Sequence, residues 1–165
     1  LLRALAQLAE RRRELHAVLL GARPNPYADA LRAAALRLGL AGRVHLLPRR
    51  PDPRLCYRGA DLALCPSYQE SLPRSVLEAM ASGLPIVASA VDGIPELLRD
   101  GCEGRLVPPG DPAALAAAIE ELLADPVRAA GLGAAARKRA EAEFPLARST
   151  QHFEALFELL IREAR

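Results

Sequence analysis

No apolar stretch in this 165-residue chain reaches the roughly 18 residues that a membrane-spanning helix requires, so a transmembrane helix is excluded. A one-sided charge is missing as well. With 22 Lys and Arg against 20 Asp and Glu, the excess of two is too small and too evenly spread for a protein that grips nucleic acid by neutralising phosphates. Arg11, Arg12 and Arg13 form one short basic cluster and Arg49 and Arg50 another. The first reads as a solvated helix end whose cations suit the C-terminal dipole. Cysteine is scarce and odd in number. Cys56, Cys65 and Cys102 have no metal-ligand spacing, which supports neither a disulfide framework nor a zinc site and points to reduced thiols in a cytoplasmic protein. His16, His45 and His152 stand far apart in sequence, and the two beside expected strands read as hydrogen-bonded imidazoles rather than metal ligands or acid–base groups. Internal repeats are absent, and the helical periodicity of the Ala-, Leu- and Arg-rich stretches argues against low complexity. The first helix lacks both an initiator Met and an N-cap, since Leu1, Leu2, Leu5, Leu8 and Leu15 already fall at helical intervals. The chain therefore reads as cut at its N-terminus, and any signal peptide would have gone with the lost part.

What is present is the composition of one soluble globular domain spanning 1–165, half apolar and a quarter charged. Short runs dense in Val, Leu and Ile at 16–21, 43–47, 61–66, 85–89 and 105–108 alternate with amphipathic segments at 27–39, 53–59, 73–82 and 94–99. That rhythm predicts an α/β fold, a Rossmann-like parallel sheet with helices on both faces, because strands covered on both sides barely alternate. The remainder is helical. Asp111 is a candidate N-cap with Pro112 in the first turn, and Asp125-Pro126 restarts the chain. Helices at 127–142 and 149–163 follow, the last with Phe153, Leu156, Phe157, Leu160 and Ile161 on one stripe, expected to dock on this domain or on an absent one.

In an open parallel sheet, ligands bind beyond the carboxyl ends of the strands. The loops there are Gly21 to Asn25, Pro48 to Pro51, Ser67 to Ser71 and Ala90 to Pro95. Glu70 leaves a buried strand and is followed by Ser71 as a candidate cap and Pro73 in the first turn of a helix, whose unpaired amides and dipole suit a diphosphate. Glu78, eight positions on, lies among Val76, Leu77, Ala79 and Met80. Spacing alone leaves two readings of it: a carboxylate on a largely buried helix that needs a partner, or a surface residue paired with Arg74 at i−4.

The stretch PSYQESLPRSVLEAMASGLPIVASAVDGIPELLRDGCEGRLVPPGDPAALAAAIEELL resembles the signature region of the retaining glycosyltransferases of the glycosyl transferases group 1 type, family four, with the GT-B fold. Pro66, Ser67, Glu70, Glu78, Ala79, Met80, Gly83, Pro85, Gly93, Pro95, Glu96, Gly104, Pro108, Asp111 and Pro112 carry the match, and residues 16–65 fit the preceding run more loosely. The resemblance implies the C-terminal, donor-binding half of a two-domain enzyme. That enzyme would transfer a sugar from a nucleotide diphosphate sugar to an acceptor hydroxyl with retention. Glu70 would then touch the donor sugar at the reacting centre, and Glu78 would accept hydrogen bonds from the ribose hydroxyls. The backbone at Pro48 and Arg49 would hold the base, and the amides after Glu70, at Ser71 and Leu72, would face the diphosphate and sugar.

The chain departs from that pattern in two places. Ser71-Leu72-Pro73 stands where many members have Gly-Phe-Gly, and Pro73 has no N–H to donate. The family's diphosphate-neutralising Arg and Lys precede the helix with which this chain opens, so Arg74 and Arg23 are the nearest cations on offer. No metal or other cofactor is implied, the nucleotide sugar being substrate. The missing N-terminal Rossmann domain would bring the acceptor and leave room for peripheral membrane contact, and without it this half is expected to be inactive. Competing expectations are a non-catalytic nucleotide- or partner-binding module of the same fold, and a sugar-nucleotide epimerase or phosphorylase.

Overall fold

The computed structural model describes residues 1–163. Five parallel strands alternate with helices: α1 (Leu2–Ala9), β1 (Ala17–Leu20), α2 (Pro26–Arg37), β2 (Val44–Leu47), α3 (Arg54–Arg58), β3 (Ala63–Cys65) and α4 (Arg74–Ala81). After these come β4 (Ile86–Ser89), α5 (Ile94–Leu97), β5 (Arg105–Val107), α6 (Pro112–Ala124), α7 (Pro126–Glu143) and α8 (Leu146–Glu163). The starts of α2, α6 and α7 are set by side-chain caps followed by proline. Asn25 accepts from the Ala28 amide at 2.8 Å, and Asp111 accepts from Ala113 and Ala114, both at 2.9 Å. Asp125 closes α6 and caps α7 through the Arg128 amide.

The expected single sheet is two sheets. β1 pairs with β2 from Ala17↔Val44 to Leu20↔Leu47, and β4 lies between β3 and β5. Among the described residues no ladder joins β1 to β3. Helix α1 spans the division instead: Ala4 and Leu8 pack with Val87, Val107 and α6, while Leu5 packs with Ala35 and Leu40. β4 meets the two-sided expectation, being buried throughout, but β1 does not. Its burial alternates, with Val18 54% and Leu20 37% exposed, because no helix among the described residues covers that face.

Two further expectations need correction. The basic run 11–13 is only in part a solvated helix end: Arg11 and Arg13 are exposed just past the C-cap of α1, which stops at Ala9 with no basic residue in its last turn, but Arg12 reaches across to α6, where its guanidinium donates to Glu120 at 2.8 Å. Of the two docks expected for the apolar stripe of α8, this domain is not the one among the described residues, since Phe153, Leu156, Phe157, Leu160 and Ile161 are all about half exposed or more. The His152 side chain lies outside the described residues.

One buried carboxylate ties the far end of the sheet to α7. Glu103, 2% exposed, accepts from the Arg99 amide at 3.0 Å and from its guanidinium, with Arg139 of α7 at 3.5 Å. The Arg99 guanidinium, opposed by burial and aided by the Arg99 amide, holds this carboxyl below the usual range. The stabilisation is therefore complete above the unfolded glutamate value of about 4.3 and disappears as pH falls through the lower folded value. Glu103→Gln is expected to cost about 2 kcal/mol at neutral pH. In urea titrations the gap between the two proteins should close below about pH 4; a gap that is constant with pH would rule the carboxylate out as the source.

Candidate functional site

The carboxyl end of β3 runs into a loop built around Glu70. Ser67 Oγ donates to Glu70 Oε1 at 3.2 Å, and the thiol of Cys65 sits 3.7 Å from the same hydroxyl. Burial pushes that thiol's pKa up, so it is a packing group and not a nucleophile. The backbone of Glu70 is gripped from both sides by the loop after β4: its amide donates to Asp92 Oδ2 at 2.9 Å and its carbonyl accepts from the Gly93 amide at 3.2 Å. Asp92 makes this bond from the left-handed region, φ 43°, the only non-glycine residue there among those described. Such a backbone costs on the order of 1 kcal/mol or more and persists where the surroundings over-determine it. Gly93 is required by proximity, since a Cβ on it would lie 1.7 Å from the Ser71 carbonyl oxygen.

Helix α4 begins one residue later than expected. Ser71 does not cap it; Pro73 occupies the N-cap position, its backbone still extended at φ −70° and ψ 116°, with no side-chain acceptor to offer, and the chain just before it is held at Glu70 by the Gly93 amide. Val76, Ala79 and Met80 turn inward, which leaves Glu78 on the outer flank, 41% exposed. Both sequence readings of Glu78 had part of the answer. Arg74 does approach it, but at 3.9 Å and from a side chain 90% exposed. The real partner is Tyr57 of α3, whose hydroxyl lies 3.0 Å from Glu78 Oε2 and 3.3 Å from the Ser75 carbonyl. Burial, then the adjacent carboxylate, raises the Tyr57 pKa, so the phenol stays a donor. Glu78 lines an open groove of about 630 Å³ with Arg74, Leu77, Ala140 and Phe144.

The other expected site residues sit at the carboxyl ends of their strands. Arg23 follows β1, and Pro48 and Arg49 follow β2; the two loops are joined by the Gly21 and Ala22 amides donating to the Leu47 carbonyl. All three residues are exposed, as are Ser71 and Leu72. No hydrogen bond or ion pair among the described residues links Arg23 or Arg49 to Glu70 or Glu78, and none links the two acids to each other, each being held in its own network. Tyr57 and Asp92 escaped the sequence reading. The histidines before and within the first two strands, distant in sequence, are brought together: His16 Nδ1 lies 3.1 Å from His45 Nε2, with the rings stacked. No group of three or more His, Cys, Asp or Glu among the described residues is arranged to hold a metal ion. Among the described residues no helix is long and apolar enough to cross a membrane.

Parallel strands with helices packed around them and an acid-bearing rim place the chain among Rossmann-like α/β domains. The family follows from the comparison with known proteins. Residues 1–125 match the model of glycosyl transferases group 1, and the chain belongs to that family. It is 37% identical over 163 residues to a D-inositol 3-phosphate glycosyltransferase of Corynebacterium diphtheriae, covering 95% of this chain and 38% of that protein. A sucrose-phosphate synthase of Thermosynechococcus elongatus superposes with a TM-score of 0.89 at 29% identity, over 98% of this chain and 42% of the other. HepE of Anabaena, solved with UDP-glucose, gives 0.88 at 29%, over 96% and 44%. The C-terminal domain of a group 1 glycosyl transferase of Francisella tularensis, at 22% identity and a TM-score of 0.78, shares the fold over 88% of this chain and 77% of its own. The fold is thus that of the C-terminal half of a GT-B glycosyltransferase, and the chain spans less than half the length of the first three of these proteins.

Proposed function

We propose that this chain is the donor half of a retaining glycosyltransferase, taking a nucleotide diphosphate sugar and passing its sugar to an acceptor hydroxyl. The observation that carries the reading is the double tether of Glu70, whose amide and carbonyl are both engaged by the loop after β4. A residue whose backbone is so fixed at the rim of a parallel sheet, with its carboxylate held by Ser67, is what a positioning or charge-stabilising role at a reacting sugar demands. HepE, the neighbour solved with UDP and with UDP-glucose, supports the ligand class. Glu78 accepts from the ribose hydroxyls, and the backbone at Pro48 and Arg49 meets the base. The amides of Ser71 and Leu72 face the diphosphate and sugar. Departure of the nucleoside diphosphate gathers negative charge, which Arg74 and Arg23 are the nearest groups here to offset, the principal cations coming from the segment ahead of α1. A second Rossmann domain supplies the opposite wall and the acceptor, and its closure aligns the reactants and excludes water. The protein works in the cytoplasm, and the reaction needs no metal.

The test is an assay of the intact protein against UDP-, GDP- and ADP-sugars, with mass spectrometry for a new glycosidic bond. Binding without turnover would make the chain a non-catalytic module instead. Glu78→Gln removes a charge-assisted bond and is expected to weaken nucleotide binding about tenfold or more by calorimetry, with the fold intact. Unchanged affinity would remove Glu78 from the site.

A further inference from the structure

We infer that Tyr57 is a positioning residue that presets the Glu78 carboxylate for the ribose of the bound nucleotide, an inference that rests on the function proposed above. The hydroxyl lies 3.0 Å from Glu78 Oε2, while the ring packs on the core cluster built around Val76, Ala79 and Met80. Stability does not demand this bond, because a carboxylate 41% exposed is satisfied by water. What the bond does is select one orientation of a flexible side chain. Arg74 does not serve that purpose: at 3.9 Å and with a side chain 90% exposed, it is too distant and too free to fix a rotamer. A carboxylate offers about four acceptor positions. Tyr57 takes one on Oε2 and leaves those on Oε1, together with the second position on Oε2, for a pair of vicinal hydroxyls. The phenol also reaches the Ser75 carbonyl at 3.3 Å, so it is braced against the first turn of the helix that carries Glu78 and moves with it. Tyr57 therefore touches no substrate; it acts through the acid.

A ligand with both hydroxyls feels this arrangement and one without them does not, which distinguishes positioning from packing. Calorimetry on the intact protein with UDP, GDP and ADP selects the tightest nucleotide, which is then compared with its 2′,3′-dideoxy counterpart. Tyr57→Phe keeps the ring and is expected to weaken the ribonucleotide about threefold to tenfold, the cost of ordering one side chain, with the dideoxy form unaffected. The double variant Tyr57→Phe, Glu78→Gln should bind no more weakly than Glu78→Gln alone. Thermal denaturation checks that the variants are folded. An equal loss for both nucleotides, or no loss, overturns the role of Tyr57. If Glu78→Gln leaves the preference for ribose intact, it is the assignment of Glu78 that fails, and binding of none of the three nucleotides would overturn both.

Discussion

Gly93→Ala is expected to lower kcat/KM for sugar transfer by the intact protein about 100-fold while leaving the domain folded. The substitution strains no backbone, for Gly93 sits at φ −80° and ψ −3°, where alanine is at ease. Its whole cost is steric. The new Cβ would fall 1.7 Å from the Ser71 carbonyl oxygen and 2.9 Å from the carbonyl carbon, both backbone atoms that no rotamer change can clear. The segment at Ser71 must retreat, and Glu70 precedes it directly. The same retreat pulls on both ties of Glu70, to the Asp92 carboxylate and to the Gly93 amide. A reacting group displaced by about 1 Å loses on the order of 100-fold in rate. Steady-state kinetics with the sugar nucleotide found in the panel assay, beside a urea titration, separates this from unfolding. A variant with unchanged kcat/KM would mean that the Glu70 loop does not position the reaction.

That loop also marks where sequence reading reaches and where it stops. The elements were legible because the strands are compact, mostly apolar runs bounded by turn residues, and the caps Asp111 and Asp125 act through contacts two or three residues away. The acids at 70 and 78 were legible through their spacing and the signature around them. Their supports were not. Tyr57 meets Glu78 across 21 positions and two helices, whereas helical periodicity offers only neighbours at i±3 and i±4, and so it nominated Arg74. Asp92 is marked by a dihedral angle, which leaves no trace in composition. His16 and His45 stack because the register sets Ala17 opposite Val44, and register between parallel strands is decided by packing elsewhere in the chain. The division of the sheet was hidden for the same kind of reason, since a strand's composition does not name its neighbour. The stripe on α8 was readable as apolar but not as uncovered, because exposure depends on what surrounds a helix and not on its own residues.

Two glycines two positions apart in α7 are expected to respond in opposite directions to alanine. Gly131 is exposed, and a Cβ there meets nothing within 4 Å, so Gly131→Ala should stabilise the domain by about 0.5–1 kcal/mol through helix propensity. Gly133 faces the turn between α4 and β4, where its Cβ would stand 2.2 Å from the Gly83 carbonyl oxygen and 3.0 Å from the carbonyl carbons of Gly83 and Leu84. That turn has little freedom to yield. The Gly83 amide donates to the Met80 carbonyl and the Leu84 amide to the Ala79 carbonyl, a Schellman closure with Gly83 at φ +73°. Leu84 leads straight into the buried strand β4, so a turn pushed outward drags core with it. The remaining relief is separation of α7 from α4, which opens the packing of Met80, Leu84 and Ala136 in one cluster. Overpacking of this kind exceeds the propensity gain, and Gly133→Ala should lose about 3 kcal/mol net. Urea midpoints for the two variants, taken with unchanged slopes, should therefore lie on either side of the parent protein. If Gly133→Ala matched Gly131→Ala, α7 would not be seated on that turn, and the wall it gives the groove beside Glu78 would go with it.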